Sequence, residues 1–131
     1  MPVALDTSAL IEAEKTGSFE HVLPPAESGP FYVPAMAAVE FLAGTHPPVR
    51  DDLRYRALLL YEARIKPIVE KFSEPDAMQL AALVAELARN GQQMKFFDAA
   101  IAAGVMSRGD KLITADGDFD RLGKRITLLK I

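Results

Sequence analysis

The sequence predicts an α/β fold on a largely parallel sheet of about five strands, and two features carry that prediction. Short apolar runs, each too brief for a helix, alternate with longer segments whose apolar side chains recur at helical spacing. Acids stand at the ends of such runs or inside them: Asp6 after Val3-Ala4-Leu5, Glu40 within Ala38-Val39-Glu40-Phe41-Leu42, Asp98 within Phe96-Phe97-Asp98-Ala99-Ala100, and Asp116 soon after Leu112-Ile113-Thr114. Parallel neighbours need a crossover, and right-handed helical crossovers are the usual solution. Chemistry in such folds gathers beyond the carboxyl ends of the strands, where Asp6 and Asp116 fall.

Taken in order, residues 2–5 form a strand, and Asp6, Thr7 and Ser8, all good N-caps, open a helix to about Lys15. Gly17, Pro24, Pro25, Gly29 and Pro30 make the next stretch a loop or broken helix. Residues 31–33 give a second strand. Pro34 suits the first turn of a helix reaching about Ala43, closed by Gly44, with Glu40 its only charged residue. His46-Pro47-Pro48 breaks the chain before a charged helix over 49–65, and residues 66–69 read as a third strand. Ser73-Glu74-Pro75-Asp76 resembles a capping box with Asp for Glu; Leu80, Leu83, Val84 and Leu87 then share one helical face, and Asn90-Gly91 stops it. Residues 97–107 form a helix rich in Ala and Gly, small enough to approach a sheet closely. The fourth strand is 111–114, followed by one helical turn near 118–122 and a final strand at 126–130.

A chain of 131 residues, half of them hydrophobic, is most simply one domain over 1–131. It has no cysteine and only two histidines, so any metal must be held mainly by oxygen. The first residues lack a basic start and a long apolar core, and no apolar run approaches a membrane span, so the setting expected is cytoplasmic, with no membrane partner. A net charge of -3 excludes a wholesale basic surface but leaves room for local positive patches.

Each acid has a simple structural explanation: Asp6 as a helix cap, Glu40 as the wet edge of an amphipathic helix, Asp98 as a cap after Lys95, and Asp116, Asp118 and Asp120 as a polar turn. Their coincidence argues for more. If Asp6, Glu40, Asp98 and Asp116 converge, each pair at about 4 Å repels by roughly 4 kcal/mol at an effective dielectric of 20. A helix N-terminus returns only about 0.3 to 1 kcal/mol. A divalent cation or raised pKa values must supply the rest, and an all-oxygen ligand set selects hard ions, Mg²⁺ first and Mn²⁺ next.

Four pieces, L-D-T-S-A-L-I with Asp6, A-V-E-F-L-A with Glu40, F-F-D-A-A-I-A-A with Asp98 and L-I-T-A-D-G-D-F with Asp116 and Asp118, occur in an order that resembles PIN-domain nucleases, and among them the VapC-type toxins of toxin-antitoxin pairs. The resemblance covers essentially the whole chain. It implies a PIN-like three-layer α/β/α sandwich and an endoribonuclease dependent on Mg²⁺ or Mn²⁺. It also implies that Asp6, Glu40, Asp98 and Asp116 are the catalytic ligand set, with Asp118 an auxiliary metal acid and Thr7, Ser8 and Thr114 supporting through hydrogen bonds. Asp120 belongs to solvent. The implied partners are an RNA substrate, a cognate antitoxin that reaches the acidic cleft, and a second copy of the chain in a homodimer. Met36 stands where relatives often carry a small hydroxyl residue, which reduces any polar network there.

Because an acidic cleft repels phosphate, RNA must be gripped elsewhere, and Arg54, Arg56, Arg64, Lys95, Arg108, Lys111 and Arg121 are the cations considered for the rim. Two other classes compete. A catalytically silent PIN scaffold would lack one of the acids, and none is missing. A phosphoacceptor or phosphotransfer domain would place a Lys late in the fold beyond a strand, whereas Lys111 precedes its strand.

Overall fold

The computed structural model describes residues Met1–Ile131. Its sheet has five strands, β1 (Val3–Leu5), β2 (Phe31–Pro34), β3 (Val69–Glu70), β4 (Lys111–Thr114) and β5 (Thr127–Lys130), in the order β3-β2-β1-β4-β5. All four pairings are parallel. Val3, Ala4 and Leu5 are each 0 % exposed. Since successive side chains point to opposite faces, β1 is covered on both, and the sheet is the middle layer of an α/β/α sandwich.

Five α-helices make the outer layers: α1 (Thr7–Thr16), α2 (Ala35–Ala43), α3 (Asp51–Leu60), α4 (Glu74–Arg89) and α5 (Phe96–Arg108). Helix α1 starts where Asp6 accepts the Ala9 N–H at 2.9 Å and ends at Gly17, whose φ of 69° is the left-handed conformation glycine adopts freely. Residues Ala99 to Val105 of α5 are all buried, as its Ala- and Gly-rich sequence allows. Ala99, Ile101, Ala102, Ala103 and Val105 share one hydrophobic core with Leu112 and Ile113 of β4 and with Leu83 and Leu87 of α4.

Three expectations shift in detail. The third strand is Val69–Glu70, and Lys66–Ile68, which the sequence assigned to it, is a 3-10 turn instead. Pro67 fixes a φ compatible with either state, and only pairing of Val33 with Val69 decides where extended backbone begins. The helix expected over 49–65 is α3 followed by a π-helical turn, Tyr61–Ile65. The turn expected near 118–122 is a longer 3-10 segment, Gly117–Arg125, broken at Gly123. The irregular stretch after α1 includes a 3-10 turn, Phe19–Val22, that buries Phe19 and Val22.

The strand order reverses across β1, with β2 on one side and β4 on the other. Such a reversal opens a crevice at the carboxyl ends of the strands. Asp6 leaves β1 at that end and Asp116 follows β4, while α2, carrying Glu40, starts directly from the end of β2. Helix α5 runs back before β4, which brings its first turn, with Asp98, to the same edge.

Candidate metal centre

Asp6 is tied into the turn that it caps. One carboxylate oxygen accepts the Ser8 hydroxyl at 2.7 Å and the Ala9 N–H; the other accepts the Thr114 hydroxyl at 2.5 Å. Ser8 Oγ in turn accepts the Ala115 N–H at 2.8 Å, and Thr114 Oγ1 accepts the Asp116 N–H at 2.9 Å. Thus Asp6 and Ser8 at the end of β1 and Thr114 at the end of β4 lace the two strand exits together. Burial pushes the Asp6 carboxyl up, against the pull of Thr114, Ser8 and the Ala9 N–H, and the charge of Asp116 adds to the rise.

Asp98 is 8 % exposed, and its Oδ2 is buried without a hydrogen-bond donor. Its carboxyl is pushed up to about 6, first by burial and then by the charges of Asp116 and Glu40, with Lys95 acting in the opposite sense. Carboxylate oxygens of Asp98, Asp116 and Asp118 lie within 4.8 Å of one another. Asp116 caps the following 3-10 turn by accepting the Asp118 N–H at 2.9 Å, and this places the second acid beside the first. Glu40, half-buried on α2, accepts the Thr7 hydroxyl at 2.6 Å.

The structure therefore brings Asp98, Asp116 and Asp118 into one group, with Asp6 joined to Asp116 through Thr114 and the charge of Glu40 felt at Asp98. Asp118, an auxiliary acid in the sequence reading, stands in that group on the same footing as Asp116. The sequence signal for this is D-G-D, whose spacing sets the two acids on either side of the first residue of the 3-10 segment. Thr7, Ser8 and Thr114 each bond an acid of the cluster. Asp120 points away into an exposed ion pair with Lys130 at 2.7 Å. His21 and His46 are exposed and bond none of these acids.

The donor set fits a hard cation. A buried carboxylate oxygen without a donor is costly unless a positive charge meets it, and three carboxylates at this separation repel one another until one is protonated or a cation intervenes. Oxygen-only ligation with no sulfur or imidazole suits Mg²⁺-like ions.

Comparisons with known proteins bear on the family and the fold. The PIN domain profile matches residues 3–125. No curated protein sequence matches the chain. Among solved structures, a chain of VapBC2 from Rickettsia felis, crystallised with a promoter DNA fragment, superposes with a TM-score of 0.83 at 16 % identity, over 100 % of this chain and 99 % of that one. A chain of DNA-bound VapBC from Salmonella typhimurium gives 0.82 at 22 % identity, over 99 % and 98 %. VapBC-5 from Mycobacterium tuberculosis, described as a member of the VapBC family of toxin-antitoxin systems, gives 0.79 at 23 %, over the whole of both chains. At these identities the likeness is one of fold. The family match spans nearly the full length and encloses all five acids of the cluster, and this chain belongs to the PIN domain family.

Proposed function

We propose that the protein is a metal-dependent endoribonuclease of the VapC toxin type, which hydrolyses phosphodiester bonds in RNA and is restrained by a cognate antitoxin. The observation that carries this reading is Asp98: a buried carboxylate oxygen without a donor, grouped with Asp116 and Asp118 at the carboxyl edge of a parallel sheet. Asp98, Asp116 and Asp118 would hold Mg²⁺ or Mn²⁺, and Asp6 and Glu40 complete the acidic set. When bound, such an ion lowers the pKa of a water and offsets charge on the phosphate undergoing in-line attack. The chain's own contribution is placement. Thr114, Ser8 and the Ala9 N–H fix Asp6, and Thr7 fixes Glu40, so the acids need not reorganise when substrate arrives.

The antitoxin reading is supported by the toxin-antitoxin complexes that share the fold, and by a depression beside the acids. Ile11 and Leu53, both exposed, line it together with Phe41, Val49, Glu40 and Arg54. An antitoxin segment with apolar side chains and one cation would lie there with its charge at Glu40. The protein would act as a homodimer in the cytoplasm, where its RNA is. A phosphoacceptor role is disfavoured, because Lys111 sits at the start of β4, away from the acids, and pairs with Glu27 at 2.9 Å.

Purified protein freed of its partner is expected to cleave RNA with Mg²⁺ or Mn²⁺ and to stop on chelation. Cleavage that persists without metal in both Asp6→Asn and Asp98→Asn variants would overturn the reading. Light scattering that finds only monomer at high concentration would remove the homodimer.

A further inference from the structure

We propose that single-stranded RNA crosses the acid cluster on a track of three cations, Arg54 on the Glu40 side and Lys95 with Arg121 on the Asp118 side, which hold the phosphates flanking the bond to be cut. The inference rests on the nuclease reading above.

The ion pairs sort the candidates. Of fifteen Lys and Arg side chains, ten stand within 4.0 Å of a carboxylate. Arg56 meets Glu14 and Arg64 meets Glu20, at 2.8 Å and 2.7 Å; Arg108 meets Asp76 and Lys111 meets Glu27, both at 2.9 Å. Their charge is already answered. Arg54 and Lys95 have no such partner, and each shares a depression with an acid of the cluster: Arg54 with Glu40, Lys95 with Asp118. The other unpaired cations, Lys71, Arg89 and Lys124, line neither depression.

Arg121 is a special case. Its guanidinium donates to the backbone carbonyl of Asp118 at 3.2 Å and to that of Gln93, while the nearest carboxylate, Asp118, is 4.0 Å away. Carbonyls orient a guanidinium without neutralising it, and its one carboxylate neighbour stands at the longest separation of the ten pairs, so most of its charge remains open to a phosphate. It lies in the same depression as Lys95 and Asp118. Cations thus stand in both depressions that hold an acid of the cluster, one with Glu40 and two with Asp118. A polyanion crossing from one depression to the other is attracted in both and meets the repelling carboxylates only where a cation sits among them. The same arrangement gives an antitoxin docked against Arg54 a direct means of blocking one end of the track.

The test measures binding apart from cleavage. Asp98→Asn protein is titrated with a fluorescein-labelled oligouridylate across a salt series, by anisotropy. Each of Arg54→Gln, Lys95→Gln and Arg121→Gln is expected to weaken binding and to reduce the log-log salt slope by about 0.7, the value for one lost phosphate contact on a single strand. Arg121→Lys, which keeps the charge, should retain most of the slope, and Arg64→Gln should leave it unchanged. Because Arg121 also braces the Gln93 turn, the Arg54→Gln/Lys95→Gln pair is the decisive variant. An unchanged slope in that pair, with native melting, overturns the track, as does an equal loss in Arg64→Gln. Cleavage of the same RNA by protein with Asp98 intact is the separate arm. Absence of cleavage with both cations overturns the nuclease reading, whereas cleavage with an unchanged slope overturns the track alone.

Discussion

Asp98 holds its proton more tightly in the folded protein, near pH 6, than in the unfolded chain, where an aspartate titrates near 3.8. Lowering the pH from 7 through 6 toward 3.8 should therefore stabilise the metal-free protein, and thermal melts across that window check the sign. A bound cation must displace the same proton, so its affinity should fall by up to about tenfold per pH unit below 6, with proton release visible by calorimetry in buffers of different ionisation heat. Asp98→Asn removes the charge and keeps the shape. It should raise the melting temperature of the metal-free protein while cutting cleavage more than about 100-fold, beyond the 10- to 100-fold loss typical of outer-sphere partners. Thr114→Val, which deletes the Asp6 hydrogen bond, belongs to that milder range. The sequence flags Asp98 because an acid interrupts the apolar run F-F-D-A-A-I, and only its coincidence with the other acids sets it apart from a helix cap. It cannot show which cations near the site are already paired, since Arg56 and Glu14, or Lys111 and Glu27, are neighbours only after folding.

Where the start of α4 meets the end of α5 the joint is polar. Asp76, 1 % exposed, accepts the Ser73 N–H at 2.8 Å, the Ser107 hydroxyl at 2.5 Å and Arg108 at 2.9 Å. Burial opposes its charge, but Ser107, Ser73 and Arg108 outweigh it and hold the carboxyl below its ordinary value. Its contribution is accordingly present above pH 3.8 and lost as the pH falls through its depressed value, opposite in sense to that of Asp98. Asp76→Ala leaves Arg108 and the α4 cap without their acceptor and should cost roughly 3 kcal/mol, read by urea unfolding. The capping box was legible in S-E-P-D, because it is local. The partners Ser107 and Arg108 were not, for they lie a whole helix further on. Likewise the start of β3 was misplaced by three residues, since Lys-Pro-Ile has no local preference strong enough to decide between a 3-10 turn and a strand.

At the scale of the whole molecule, alternation of short apolar runs with helices fixes a parallel sheet, and parallel strands force every crossover to return its acids to one edge. That is why the fold class and the acids could be read together. Strand order could not, because nothing in a run such as Val3-Ala4-Leu5 says that β4 and not β3 will lie beside it. A cation held by Asp98, Asp116 and Asp118 would tie α5 to the end of β4 and should stabilise the fold. At a concentration one hundred times its Kd the gain is about 2.7 kcal/mol, and Mg²⁺ or Mn²⁺ titrations followed by thermal melting should show it in the native protein and lose it in Asp98→Asn. The insertion of β4 next to β1 also sets an order of events during synthesis. Asp6 and Glu40 leave the ribosome long before Lys111–Thr114, the strand that must pair with Val3–Leu5. At about 5 to 20 residues per second, several seconds separate the first acid from the last. On the proposed nuclease reading, the acid cluster stays incomplete throughout that interval, because Asp98, Asp116 and Asp118 come together only once β4 is in place.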